Sequence, residues 1–292
     1  MIELATVGDT FEDFVFYGLA RLPGPGRELK TRSMVRSPGG GALITAVAAA
    51  RLGTKCAVIS ALSPDSERLL RRERVVVRNL RASDEPSAIT VALSTRTDRR
   101  FVTFEGVNGS LPSRIRRVLP RIRARHVHFA FVPRPCQQWA AIVARLKRRG
   151  VTTSWDFGWD DRLAGDPGLW PLATSVDLMF VNRDETLLYA RRRKFSDAIA
   201  RWRAVSNHIV IKLGRDGARV IGGGIDVRMP PKEVRRIVDS TGAGDAFNGG
   251  FLAALIQGHS MRQALAAGNR LGALSLRHPG GVAGLPRANG RP

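Results

Sequence analysis

The sequence predicts an α/β fold, a mostly parallel sheet covered by helices on both faces, and three observations carry that prediction. Apolar, β-branched strand runs alternate with helical patterns along the chain, the arrangement that builds a parallel sheet. One β-rich stretch interrupts the alternation as a small insert. No internal repeat, low-complexity segment or long linker divides the 292 residues, so residues 1–292 read as a single domain.

The elements follow in order. Residues 2–7 form the first strand, stopped by Gly8-Asp9. Pro38-Gly39-Gly40-Gly41 opens a helix running to Leu52, with Gly53 just past its end, where a left-handed residue is favoured. Residues 56–60 form the next strand. The insert contributes strands at 75–77, 88–93 and 100–104, the last two joined by a polar hairpin connection at 94–99. Alternation then resumes, with strands near 126–131, 151–156, 177–181, 208–212 and 218–221. Helices are expected near 137–149, 184–192, 197–205, 243–257 and 261–276.

Composition bounds the function. With 43% hydrophobic residues, 30 Gly and 16 Pro, the chain has material for a large core and is not intrinsically disordered. No apolar run approaches the roughly 18 residues of a membrane span; the longest, 42–50, carries Thr45. No basic segment followed by an apolar core marks a secretory signal at the N-terminus, and Cys56 and Cys136 stand far apart, so a cytoplasmic protein without disulfides is expected.

The net charge of +22, from 47 Lys and Arg against 25 Asp and Glu, raises nucleic acid as a partner. The cations are nearly all arginine, since lysine occurs only at 30, 55, 147, 194, 212 and 232, and they are scattered rather than gathered in one arm. The densest runs, at 71–74, 114–125, 147–149 and 191–194, lie on or beside helical patterns and read as solvated faces. Only weak, sequence-independent and salt-sensitive nucleic-acid binding is expected.

Chemistry concentrates in Asp239-Ser240-Thr241-Gly242-Ala243-Gly244-Asp245. Small residues lead directly into a helix, which leaves the N–H groups of Gly242, Ala243 and Gly244 open to an anion and aligned with the helix dipole. Asp245 stands in the first turn, able to accept a proton from a hydroxyl. A Gly-rich turn capped by an Asp is the plainer alternative. No GxxxxGK[ST] run is present, so phosphate binding through a P-loop is ruled out.

The segment 239–251 resembles the C-terminal signature of the ribokinase-like sugar kinases, the PfkB carbohydrate kinase family. Further segments agree in order and spacing: 8–13 followed by Leu22-Pro23-Gly24-Pro25-Gly26; Pro38-Gly39-Gly40-Gly41-Ala42 through Gly53; the NxxE motif Asn182-Arg183-Asp184-Glu185; Lys212-Leu213-Gly214-Arg215-Asp216-Gly217; and the closing segment 269–286. Together they span about residues 2–286.

The resemblance implies a three-layer α/β/α sandwich with a small β lid at about 12–36 and 75–106. It implies ATP-dependent phosphorylation of a hydroxyl on a sugar or sugar-like metabolite, with Asp245 as base and Gly242, Ala243 and Gly244 as the anion hole. Asn182 and Glu185 would serve Mg²⁺, and a helix N-cap is their alternative. Lys212, Gly214, Gly217 and Asn269 would bind the nucleotide, although the two glycines could equally shape a hairpin. Asp13, Gly39, Gly40 and Asn108 would meet the acceptor, and Asp239 a loop for a monovalent cation such as K⁺. The apolar face of the lid, including Phe14, Phe16 and Val91, suits a homodimer.

The acceptor side departs from the family pattern. Ile44 and Phe11 stand where many relatives carry sugar-binding Asn residues, and Arg27 stands where Glu is usual. Losing directed hydrogen bonds of this kind changes selectivity strongly, so ribose is disfavoured. A nucleoside stacked on Phe11, a fructose phosphate met by Arg27, Arg32 or Arg36, and a metabolite-binding pseudokinase are the alternatives. His126 and His128 alternate along one strand and face one way; with no third ligand at a familiar spacing, structural histidines are expected. Asp156 is expected to cap the loop after its strand, the alternative being a role toward phosphates through metal-bound water.

Overall fold

The computed structural model describes residues 1–95, 99–204 and 207–287. The chain opens with β1 (Ile2–Gly8), enters a small sheet as β2 (Phe11–Leu19) and β3 (Met34–Gly39), and returns through α1 (Gly41–Ala50), β4 (Cys56–Ser60), α2 (Pro64–Arg72) and β5 (Val76–Asn79). It revisits the small sheet as β6 (Ile89–Thr95) and β7 (Arg99–Phe104). Alternation follows with α3 (Leu111–Val118), β8 (Ala124–Ala130), α4 (Gln137–Lys147), β9 (Thr152–Asp156), α5 (Leu169–Ser175), β10 (Leu178–Asn182), α6 (Arg183–Ala190), α7 (Phe195–Arg203) and β11 (His208–Lys212). A hairpin of β12 (Ala218–Gly222) and β13 (Ile225–Met229) precedes α8 (Ala243–Ile256) and α9 (Met261–Ser275).

The main sheet runs β13-β12-β11-β10-β9-β8-β1-β4-β5 and is parallel from β5 through β11. Only β12 and β13 turn antiparallel, at one edge. Two cores explain why its strands are nearly continuous apolar runs: both faces are covered. On one side Ile115, Trp139, Leu172, Tyr189 and Trp202 pack from α3 to α7. On the other Leu43, Leu70, Phe251 and Leu271 pack from α1, α2, α8 and α9. No helix among the described residues is long and apolar enough to cross a membrane.

The second sheet has the order β3-β2-β6-β7, antiparallel except for the β2–β6 pair. Its Asp13, Val15, Thr90 and Ala92 are buried, whereas Met34, Val102 and Phe104 are exposed on the opposite face.

Several boundaries differ from the sequence reading. Val76–Asn79, counted with the insert for its β-branched run, pairs with β4 in the main sheet. Pro38 and Gly39 end β3 rather than open a helix, and α1 begins at Gly41. Helix α2 escaped notice because its nine residues bury little besides Ser66 and Leu70, although Ser63 caps it by accepting from the Ser66 N–H at 3.2 Å. Of the expected 94–99 connection and 197–205 helix, residues 96–98 and 205 lie outside the described residues, as do 288–292 of the single expected domain.

Candidate active site

The carboxyl ends of the parallel strands deliver Gly8, Ala130, Asp156, Asn182 and Lys212 to one edge of the main sheet, the edge at which open α/β sheets bind ligands. The turn Gly39-Gly40-Gly41 joins the small sheet to this edge. Gly40 has φ 93°, and a Cβ there would lie 2.5 Å from the Asp9 carbonyl oxygen, so only glycine fits. Gly39 makes room for Asp13, and the position a Cβ of Gly41 would take is 3.1 Å from Oδ1 of Asp245. The turn therefore lies against the carboxylates of both Asp13 and Asp245.

Gly242, left-handed at φ 73°, begins α8 with no side-chain cap. Ile44 fills the space beneath it: a Cβ on Gly242 would lie 2.6 Å from Ile44 Cδ1, and one on Gly281 would lie 2.3 Å from the same atom. Ile44 is buried and packs under the glycine turn that opens α8. The Thr45 hydroxyl donates to the Asp245 carbonyl oxygen at 3.1 Å and ties α1 to the first turn of α8. Asp239 accepts from the Thr241 N–H (3.0 Å), the Thr241 hydroxyl (2.8 Å) and the Gly280 N–H (3.0 Å), so it pins the loop before α8 to the C-terminal segment.

Lys212 at the end of β11 reaches past β10 to Asp156 at the end of β9, with Nζ 2.5 Å from Oδ2. Asn248 of α8 donates to the same oxygen at 2.6 Å, and Oδ1 of Asp156 accepts from the Gly158 N–H at 3.3 Å. Asp156 thus caps its loop as expected and also anchors a lysine, a role the sequence did not disclose. Burial works against the Lys212 charge, but Asp156, Glu185 and Asp245 outweigh it and hold the ammonium above its ordinary value. Burial likewise opposes the Asp156 charge, and Lys212 with Asn248 overcomes it and keeps the carboxylate low.

This lysine-linked loop, a helix opening on glycines and an aspartate against the Gly39–Gly41 turn compose a recognisable pattern, and the sequence agrees with it over almost its whole length. The pfkB family carbohydrate kinase model matches residues 1–288. The chain belongs to that family. It is 28% identical to the aminoimidazole riboside kinase of Salmonella typhimurium over 88% of this chain and 87% of that one. It is 30% identical to the ATP-dependent ribose-1-phosphate kinase of Halopiger xanaduensis over 87% and 86%. It is 27% identical to the 2-dehydro-3-deoxygluconokinase of Bacillus subtilis over 74% and 72%. Its fold is that of the adenosine kinase of Sinorhizobium meliloti (TM-score 0.81, 19% identity, 99% and 98% covered). A ribokinase II from E. coli in complex with ATP and Mg²⁺ shares it too (TM-score 0.78, 21% identity, 99% and 97% covered).

Other predicted positions of the PfkB kinase fall in two groups. Asn182 and Glu185 close a capping box on α6: the Glu185 N–H donates to Asn182 Oδ1 and the Asn182 N–H to Glu185 Oε2, each at 2.8 Å. Burial, then Asp156, pushes Glu185 up to about 7. On the far side of β11, Gly217 (φ 84°) turns so closely under the chain that a Cβ would lie 2.1 Å from the Met229 carbonyl oxygen, and Asn269 of α9 donates to the Pro230 carbonyl oxygen at 2.7 Å. Gly217, residues 229–231 and Asn269 thus form one corner. Gly214 (φ 57°) has open space where a Cβ would be, and Lys212 points to Gly244 at the start of α8 instead of to this corner.

On the acceptor side, burial and then Asp245 and Asp239 push Asp13 up to about 7. Asp9, unnoticed in the sequence, is pushed up to about 7 by burial and then Glu105. Asn108 donates to the Thr10 carbonyl oxygen at 3.1 Å, which leaves its buried Oδ1 without a partner among the described residues. His126 and His128 share the Ser154 hydroxyl at 2.7 and 2.8 Å, with His126 also bonded to Thr152. Burial pushes them down to about 4 and about 3, as neutral structural histidines.

Proposed function

We propose that this kinase transfers the terminal phosphoryl group of ATP to a hydroxyl of an uncharged sugar or polyol, with Asp245 as the base. The observation that carries the reading is the common location of Asp245, the uncapped N-terminus of α8 and Asp13 around the Gly39–Gly41 turn. Transfer forms a bond from the acceptor oxygen to phosphorus and breaks the bond from phosphorus to the departing ADP oxygen, while the hydroxyl proton passes to the Asp245 carboxylate. Gly242, Ala243 and Gly244 present N–H groups to the charge that builds during transfer, and such donors act with no reorganisation. Asp13 and Asn108 hold acceptor hydroxyls, with Gly39 and Gly40 permitting close backbone approach.

The preference for an uncharged acceptor rests on charge. Asp13 and Asp245 gather on that side, and each in its ionised form repels a phosphate or carboxylate on the substrate. Arg36, one of the three arginines named for such a group, pairs instead with Glu12 and, at 3.3 Å, with Asp65.

The nucleotide base would lie in the corner of Gly214, Gly217 and Asn269. Mg²⁺ keeps waters and takes one or two carboxylates along with phosphate oxygens. That habit fits Glu185, which lies near enough to Asp156 to feel its charge, with Asn182 beside it in the same capping box. When bound it neutralises phosphate charge. The small sheet would close over the acceptor as a lid, and its outward face with Met34, Val102 and Phe104 would be buried by a second copy of the chain.

The deciding experiment measures ADP release over pentoses, hexoses, sugar acids, sugar phosphates and nucleosides. Release with a neutral polyol and not with its phosphate or acid supports the reading; preference for a charged acceptor overturns the charge argument, and no release with any acceptor overturns the kinase reading. Sedimentation showing only monomer at micromolar concentration removes the dimer.

A further inference from the structure

Lys212 brings an ammonium to the loop that opens α8. Its ammonium lies 3.3 Å from where a Cβ of Gly244 would be, beside the N-terminal end of α8. That helix end carries partial positive charge and lacks a side-chain cap. This largely buried cation beside a positive helix end is held by the carboxylates of Asp156, Glu185 and Asp245, with Asp156 bonded to it directly. A multiply charged anion entering beside Gly244 would meet both this ammonium and the open helix end.

The route by which Lys212 arrives is equally specific. Lys212 pairs in register with Asn182 and Phe180 with Asp156, so the lysine crosses the end of β10 to meet a carboxylate two strands away. Asp156 is itself held from the other side by Asn248, three residues after Asp245 on α8. One buried carboxylate therefore fixes the lysine against the same helix that carries the base.

We infer that Lys212 is a catalytic residue of this kinase that binds the phosphoryl group being transferred, and that Asp156 and Asn248 are positioning residues that hold its ammonium at the start of α8. The inference rests on the kinase reading above. Lys212 neither gives nor takes a proton in the step; it stabilises charge on the phosphoryl oxygens, as the N–H groups of the loop do. An ammonium on a flexible stem needs such an anchor, because it lacks the preorganised fork of an arginine.

The test compares Lys212→Met, Lys212→Arg, Asp156→Asn and the charge-balanced pair Lys212→Met with Asp156→Asn, each checked for cooperative thermal unfolding. Binding of ATP and of ADP is measured by calorimetry without acceptor, alongside turnover with the acceptor found by the screen. Lys212→Met should lower kcat by about 10²–10³-fold, the loss typical of one transition-state donor. It should also weaken ATP more than ADP, so that the ratio of their affinities collapses, with Lys212→Arg recovering part of both. Asp156→Asn should lower kcat with little change in the acceptor KM, and that loss should disappear in the Lys212→Met background, since residues acting as one unit are not additive. If Lys212→Met folds badly, the charge-balanced pair carries the same comparison. An unchanged ATP-to-ADP affinity ratio, or a kcat within threefold of wild type, overturns the inference. The binding comparison reads Lys212 even if no acceptor is found, which separates its failure from failure of the kinase reading.

Discussion

The carboxylate of Asp13 occupies the place of a side chain at Gly39: a Cβ on that glycine would lie 1.8 Å from Oδ2 and 2.6 Å from Cγ. Asp13 and Gly39 belong to adjacent antiparallel strands, and the missing side chain lets the acid lie inward over the turn. Gly39→Ala must expel the carboxylate. Acceptor kcat/KM should fall by about 10²-fold or more, a loss in the range for a mispositioned substrate group, while ATP affinity measured by calorimetry stays within twofold. An equal loss of ATP affinity would show that the turn, rather than Asp13, had moved.

Asp245→Asn removes the proposed base and preserves the shape of the first turn of α8. The Thr45 hydroxyl bonds the backbone carbonyl of residue 245, so the turn keeps that tie in the variant. Turnover should fall by about 10²–10⁴-fold, the usual share of a positioned base, with ATP binding retained. A variant that turns over as fast as wild type would remove Asp245 from the reaction.

Much of this site was legible because backbone needs dictate its residues. Gly40, Gly217 and Gly242 adopt positive φ or lie under another strand, and only glycine serves in such places, so their spacing survives in the sequence as a pattern. The strand-helix alternation was legible for a similar reason: both faces of the sheet are buried, so its strands are apolar throughout. The Lys212–Asp156–Asn248 group was not legible. Its members stand 36 and 56 residues apart and meet only because β9 and β11 flank β10. Ile44 has a packing role that its position in the sequence does not display, since its side chain lies against Gly242 and Gly281. Strand β5 was assigned to the insert because a β-branched run does not say which sheet it joins.

If Asp13 holds acceptor hydroxyls as proposed, activity should depend on pH. Burial, then Asp245 and Asp239, holds it at about 7. The ionised form accepts hydroxyl hydrogen bonds and the protonated form gives up part of that capacity. Acceptor kcat/KM should fall as pH drops from 8 to 6, with a limb near 7 that Asp13→Asn flattens. A limb that survives in Asp13→Asn belongs to another group, of which Asp9 is the first candidate.

The same shift affects stability with a definite sign. A carboxylate whose folded value is raised contributes stability that is complete below its unfolded value near 4 and is lost as pH climbs through about 7. Asp13→Asn abolishes that cost of burying a charge. Urea unfolding should find the variant more stable than wild type at pH 8, on the order of a few kcal/mol, with the difference gone near pH 4. Equal stability of the two proteins at pH 8 would show that the Asp13 charge is solvated in the fold.

Arg51 holds the end of the chain to the helix layer that carries the site. Its guanidinium makes a two-pronged pair with Glu73 (3.0 and 2.7 Å) and donates through Nη1 to the carbonyl oxygens of Val282 (2.8 Å) and Leu285 (2.7 Å). Both members of the ion pair are nearly buried, so breaking it strands a carboxylate and two carbonyls together. Arg51→Met should cost about 3–5 kcal/mol in urea unfolding, the price of leaving one partner of a buried pair alone. Arg51→Lys should recover only part, because an ammonium cannot reproduce the planar fork that reaches both partners. Gly281 lies on Ile44, and Ile44 lies under Gly242, so loosening residues 282–285 also loosens the floor beneath the turn that opens α8. Arg51→Lys should therefore lower kcat severalfold at temperatures well below its unfolding midpoint, while acceptor KM holds. A loss of stability without any loss of kcat would confine Arg51 to the chain terminus and break the link from it through Ile44 to the site.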